Sequence, residues 1–141
     1  MVDENAFIEY AQVHNHRYGT LKSFIDNKFT QGKSIILDID VQGYMQIKSS
    51  NIPNSSIFIL PPSFRELKKR LEDRKSDTNA AINKRMVNAR AEVQCYGEYD
   101  FVIVNDDIEK AIKAFEDIIF TKNYDSNKNL IEKILQDMLS Y

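Results

Sequence analysis

SIILDIDVQG, Ser34 to Gly43, is β-branched and almost wholly apolar until it meets two acids, Asp38 and Asp40. A run of this composition predicts a buried strand over 34–40. Successive strand residues alternate between faces, so Asp38 and Asp40 should leave the strand end on the same side. Two like charges placed together need something to offset their repulsion. Either a ligand does so, or the acids form a turn in which Asp40 or Gln42 caps the following helix; spacing leaves both readings open.

Two further runs read the same way: SSIFIL at 55–60, closed by Pro61 and Pro62, and DFVIVN at 100–105. Helical patterns separate them. Ser63 with Glu66 forms a capping box, followed by Phe64, Leu67 and Leu71 at helical spacing. Asp106 with Glu109 offers a similar cap, and Ile108, Ala111, Ile112, Phe115 and Ile119 make a stripe. After a polar connector, Asn123 to Asn129, a last helix carries Leu130, Ile131, Ile134, Leu135 and Met138. Strands alternating with helices predict an α/β fold with parallel strands. Ligands in such folds sit beyond the carboxyl ends of the strands, where Asp38, Asp40 and Asn105 fall.

The chain has 141 residues, enough for one domain with a core of its own. It is 43% hydrophobic and 28% charged, ordinary for a globular protein, and its net charge of −2 gives no basic field for nucleic acid. No apolar run approaches membrane-span length, and MVDENAF lacks a basic region followed by an apolar one. Cys95 is the single cysteine. It allows no internal disulfide, which fits a cytoplasmic protein, and its expected role is small buried filler.

Two clusters carry further chemistry. In LKKRLEDRK, Arg70 and Arg74 are four apart and share a helix face; Lys84, Arg85 and Arg90 follow a few turns later. Arginine forks match phosphate oxygens, so Arg70, Arg74 and Arg85 could converge on a polyphosphate, although a basic helix face laced with Glu72 and Asp73 is more often solvated surface. FIEYAQVHNHRYGT, residues 7–20, sets Glu9, Tyr18 and Thr20 among residues of strand character. A carboxylate there could accept from a base, and the hydroxyls could donate to a phosphate. His14 and His16 lack a third ligand for a metal.

FIEYAQ…RYGT, ILDIDVQG, IFILPPS…ELKKRLEDR, INKRM and YGEYDFVIVNDD together resemble guanylate kinase, in that family's order and spacing, from about Phe7 to Phe120. The resemblance implies phosphoryl transfer from Mg²⁺·ATP to GMP, in purine nucleotide metabolism, on a P-loop NTPase-like parallel sheet with flanking helices. It matches Glu9 to the carboxylate reading guanine, Tyr18 and Thr20 to hydroxyls holding the GMP phosphate, and Asp38 to an acid that helps read guanine. Asp40 matches its partner near metal and phosphates, with no protein ligand binding the metal directly. Arg70, Arg74 and Arg85 match lid arginines closing on the phosphates of ATP and GMP, and Asn105 a residue beside the adenine.

The departures are large. The family's GxxGxGK[ST] loop is not in the sequence; Gly32-Lys33-Ser34 lacks the upstream glycine and precedes a strand, so it is rejected as a P-loop. The family's early segment with arginines, a glutamate and a tyrosine on GMP is also missing. The lid turn reads Asp73-Arg74-Lys75 where the family often has Gly-Arg-Gly, and Asn15-His16-Arg17-Tyr18-Gly19 stands where the family usually has a Gly-Asn-Tyr-Tyr-Gly-like run. The expectation is a partial guanylate kinase domain over 1–141, its sheet incomplete for want of the P-loop strand. Residues 1–33 would be the rest of the GMP region and 34–62 core strands. Residues 63–90 would hold the lid and flanking helices, and 91–141 a core strand and C-terminal helices. Such a chain should be marginally stable, prone to edge-strand association and a poor kinase. The alternative is a non-catalytic binding module or an inactive remnant.

Overall fold

The computed structural model describes residues 7–13 and 16–140, with the backbone alone for 7–13, 16–19 and 21. The chain divides into two compact units, Met1–Asn54 and Ser55–Tyr141.

In the first unit, β1 (Phe7–Val13) and β2 (His16–Leu21) form an antiparallel hairpin, with an irregularity between Phe7 and Glu9. Helix α1 (Lys22–Thr30) follows directly and α2 (Val41–Ser49) comes later. α1 ends where Gly32 takes φ +73, and the amides of Gly32 and Lys33 bond to the carbonyls of Phe29 and Lys28. That pair of bonds is a helix C-terminal cap needing a left-handed residue, which glycine supplies without Cβ strain. Gly32-Lys33-Ser34 therefore closes a helix instead of opening one, in keeping with its rejection as a phosphate loop.

The expected strand over 34–40 is not a strand here. The segment is extended in its burial, with Ile35, Leu37 and Ile39 packed on the buried pair Ile25 and Ile47, while Ser34, Ile36 and Asp38 face out. Yet Ser34–Ile39 make no hydrogen bond among the described residues. The reason is physical: the period-2 pattern needs only one covered face, whereas a strand needs a neighbour's backbone, and none pairs with it among the described residues. Ile36 is left 71% exposed.

The second unit holds the parallel pair, β3 (Ile57–Leu60) beside β4 (Phe101–Val104), paired Ile57 with Phe101 through Leu60 with Val104. Ser56 and Asp100 lock its start: the Ser56 amide donates to Asp100 Oδ2 at 3.0 Å and the Asp100 amide to Ser56 Oγ at 2.8 Å. Val102 and Ile103 are both buried, so β4 is covered on both faces as its composition requires. In β3, Phe58 and Leu60 are buried and Ile59 is not.

Helix α3 (Phe64–Asp73) starts at the Ser63 cap, whose Oγ accepts from the Glu66 amide at 3.0 Å. Its Leu71 meets Ile82 and Met86 of α4 (Asn79–Val93), with Phe64 and Leu67 around them. Helix α5 (Ile108–Thr121) is capped by Asp107, one residue beyond the expected Asp106; its carboxylate accepts from the amides of Glu109 and Lys110. Its core face is Ala111, Ala114, Phe115 and Ile118, so Ile108, Ile112 and Ile119 of the expected stripe are exposed. Helix α6 (Lys128–Leu139) buries Ile131, Ile134, Leu135 and Met138, each contributing about 1.5–3 kcal/mol. Asp137 Oδ2 accepts from the Phe64 amide at 2.8 Å, and Arg90 lies over the Phe64 ring while its Nε donates to the Met138 carbonyl. The last helix is thus tied into α3 and α4. Cys95 is half-buried, its thiol turned to the Ala91 carbonyl.

Candidate functional site

The first unit gathers the base-and-phosphate candidates. The side chains of Glu9 and Tyr18 and all of His14 lie outside the described residues, but the hairpin register places the positions. Glu9 stands opposite Thr20, and Tyr18, two residues from Thr20, stands opposite Ala11. The three candidates therefore occupy neighbouring positions of one register parity. Thr20 lines an open cleft of about 670 Å³ together with Phe24 and Lys28 of α1 and Lys33–Leu37. Lys28 sits 5.4 Å from the Phe24 ring. Lys28 and Lys33 give this cleft two ammonium groups that the sequence reading did not single out, since each looks like an ordinary surface lysine until α1 turns back.

Asp38 and Asp40 part company. Asp40 is the N-cap of α2, its Oδ1 accepting from the Gly43 amide at 2.9 Å. The helix end offsets its charge, so the capping reading of the acidic turn holds for Asp40. Asp38 is exposed and has no polar partner among the described residues. Of the two acids, Asp38 is the one with no polar contact in the fold among the described residues. Among the described residues no three His, Cys, Asp or Glu side chains cluster to hold a metal ion.

The second unit sets the three arginines in three environments. Arg70 is fixed at the carboxyl end of β4. Its Nε donates to Glu66 Oε1 at 3.0 Å, Nη1 to the Asn105 carbonyl at 2.7 Å and Nη2 to the Asp106 carbonyl at 3.5 Å. Arg70 and Asn105, 35 residues apart, are thereby brought together. Arg74 closes α3 as its C-cap, exposed and without a polar side-chain partner among the described residues. Arg85, on α4, pairs through Nε with Asp77 Oδ2 at 3.2 Å. Asp77 is a residue the sequence reading missed; it lies outside any helical i,i+4 pairing, and only the turn before α4 brings it round. The remaining basic face of α3 behaves as solvated surface, with Lys68 and Glu72 4.0 Å apart and both more than half exposed.

The turn between α3 and α4 shows why glycines suit it. Lys75 adopts φ +55, left-handed backbone that costs a non-glycine residue about 1 kcal/mol. Thr78 then caps α4, its hydroxyl accepting from the Ala81 amide.

Comparison with known proteins gives a consistent picture. The guanylate kinase family model matches residues 1–122. A guanylate kinase of Vibrio cholerae is 43% identical over 128 residues, covering 91% of this chain and 62% of its own length. One from Caldanaerobacter subterraneus subsp. tengcongensis is 36% identical over 139 residues, covering 97% and 68%. The crystal structure of guanylate kinase from Anaplasma phagocytophilum superposes with a TM-score of 0.66 at 28% identity, covering 92% of this chain and 65% of that one. The chain thus spans a little over three fifths of the length of the Vibrio cholerae relative.

Proposed function

Because the chain belongs to the guanylate kinase family, we propose that its residues serve ATP-dependent phosphorylation of GMP to GDP. Glu9 and Asp38 read the guanine edge, Tyr18 and Thr20 hold the GMP phosphate, and Lys28 and Lys33 add positive charge beside Thr20. Asp40 stands by the phosphates, Arg70, Arg74 and Arg85 close on them, and Asn105 borders the adenine. Asp38, without a polar partner among the described residues, suits a guanine N–H donor, and the second oxygen of Asp40 suits a hydrated Mg²⁺ brought in by ATP and reached through its waters. Bound there, Mg²⁺ would neutralise phosphate charge. The arginines do the same from the protein side, and positioning supplies most of the rest. Transfer by these 141 residues alone should be slow, since no GxxGxGK[ST] loop is among them.

The observation that carries the reading is the hairpin register, which sets Glu9 opposite Thr20 and Tyr18 beside it. Thermal melting of the 141-residue chain with and without millimolar GMP tests it. GMP, unlike AMP, should raise the melting temperature, because a ligand bound to the native state stabilises it by mass action, by about 2.7 kcal/mol at a hundred times Kd. A cooperative melt indifferent to GMP would sink the reading.

A further inference from the structure

Asp77 is the most enclosed carboxylate of the lid region. Its side chain is 18% exposed, and Oδ2 is shut off from solvent. A buried carboxylate oxygen needs a compensating charge, and the Arg85 guanidinium, with Nε 3.2 Å away, supplies it as an ion pair, although Oδ2 accepts no hydrogen bond among the described residues. The contact uses only Nε. Arg85 makes no other polar contact among the described residues, so Nη1 and Nη2 keep all their donors. Arg70, by contrast, already engages both Nη groups with backbone carbonyls, and the Arg74 side chain has no polar partner among the described residues. Arg85 alone of the three is both anchored and open.

We infer that Asp77 is a positioning residue, ion-paired with Arg85 on its Nε side so that the two Nη groups present a preset fork to a polyphosphate anion. The inference rests on the reading above that Arg85 meets nucleotide phosphates. An arginine drawn to a buried carboxylate by its charge has lost part of its side-chain freedom before any anion arrives, and each immobilised side chain otherwise costs about 0.5–1.5 kcal/mol on binding. A merely electrostatic role for Asp77 predicts the opposite sign: removing a negative charge near the fork would strengthen anion binding. A role limited to the α4 terminus predicts no change in binding.

The probe is inorganic tripolyphosphate, titrated into the ¹⁵N-labelled 141-residue chain while the Arg85 Nε–H order parameter is followed by NMR. In the unsubstituted chain Arg85 Nε–H should be ordered before any anion is added. Asp77→Asn should release it and weaken tripolyphosphate by about three- to tenfold, the range set by one side chain's immobilisation. Asp77→Glu should recover part of the loss. Should Asp77→Asn fail to fold, Arg85→Lys carries the test: it keeps the charge beside Asp77, loses the fork, and should bind tripolyphosphate as weakly. Equal or tighter binding by Asp77→Asn overturns the inference, as does unchanged binding by Arg85→Lys. So does a lack of tripolyphosphate binding by the unsubstituted chain at millimolar concentration. That last result leaves the GMP-dependent melt standing as the separate test of the proposed function.

Discussion

Ser126 and Val102 satisfy each other twice: the Val102 amide donates to Ser126 Oγ at 3.2 Å, and Ser126 Oγ donates to the Val102 carbonyl at 3.1 Å. One hydroxyl on the connector before α6 thus does for β4 what a neighbouring strand would do, occupying both backbone groups of a residue on the strand's outer edge. Ser126→Ala should therefore lower the stability of the second unit by about 1–2 kcal/mol, the usual cost of stranding part-buried polar groups. Urea unfolding followed by far-UV circular dichroism reads this directly. A loss below half a kcal/mol would show that water replaces the hydroxyl.

No such stopper protects Ser34–Ile39. That segment presents extended backbone without hydrogen bonds among the described residues, and Ile36 projects from it 71% exposed. An open edge bearing an apolar side chain is a template for pairing with a second copy. Sedimentation velocity should show concentration-dependent association, and Ile36→Lys, a charge on the exposed face, should suppress it. Association undiminished in Ile36→Lys would place the contact elsewhere.

The contrast between these two edges shows what the sequence could and could not disclose. Apolar runs located SSIFIL and DFVIVN correctly because β4 buries both faces and β3 buries Phe58 and Leu60 on one, while each strand has the other for a backbone partner. In SIILDID they diverge. Side-chain alternation survives as extended geometry over Ile25 and Ile47, but hydrogen bonding depends on a backbone partner, which no residue in the run encodes. Caps were legible where one acceptor sat at the right offset, as at Ser63, and ambiguous where adjacent acids competed, as at Asp106 and Asp107. Asp77 was invisible for a related reason: its partner is fixed by a turn containing a left-handed Lys75, and no spacing rule reaches through that.

Asp38 and Asp40 should separate cleanly under substitution. Asp40→Ala removes the α2 cap and should cost about 1 kcal/mol, whereas Asp40→Asn keeps an acceptor for the Gly43 amide and should melt close to the unsubstituted chain. Asp38→Asn removes no polar contact among the described residues and should leave stability within about 0.5 kcal/mol, but it should reduce the GMP-induced rise in melting temperature. Paired melts with and without millimolar GMP check all three. A GMP shift unaltered in Asp38→Asn would remove Asp38 from the guanine site.

Alkaline stability should be governed in part by Tyr124, which packs beside Ile103, Ala114 and Ile118. Burial pushes its phenol pKa above the ordinary value of 10.0, because the anion would lose its hydration there. The sign follows from proton counting. Above pH 10 the unfolded chain gives up this proton while the native state retains it, so the native state binds more protons and unfolding becomes easier as pH rises. Below that pH both states are protonated and the group contributes no slope. Melting temperatures measured from pH 8 to 11 should therefore fall more steeply above pH 10 in the unsubstituted chain than in Tyr124→Phe, which keeps the ring and cannot ionise. The other tyrosines and the lysines are common to both proteins, so the difference between the two curves isolates Tyr124. Parallel curves through pH 11 would mean that the phenol reaches solvent and ionises equally in both states.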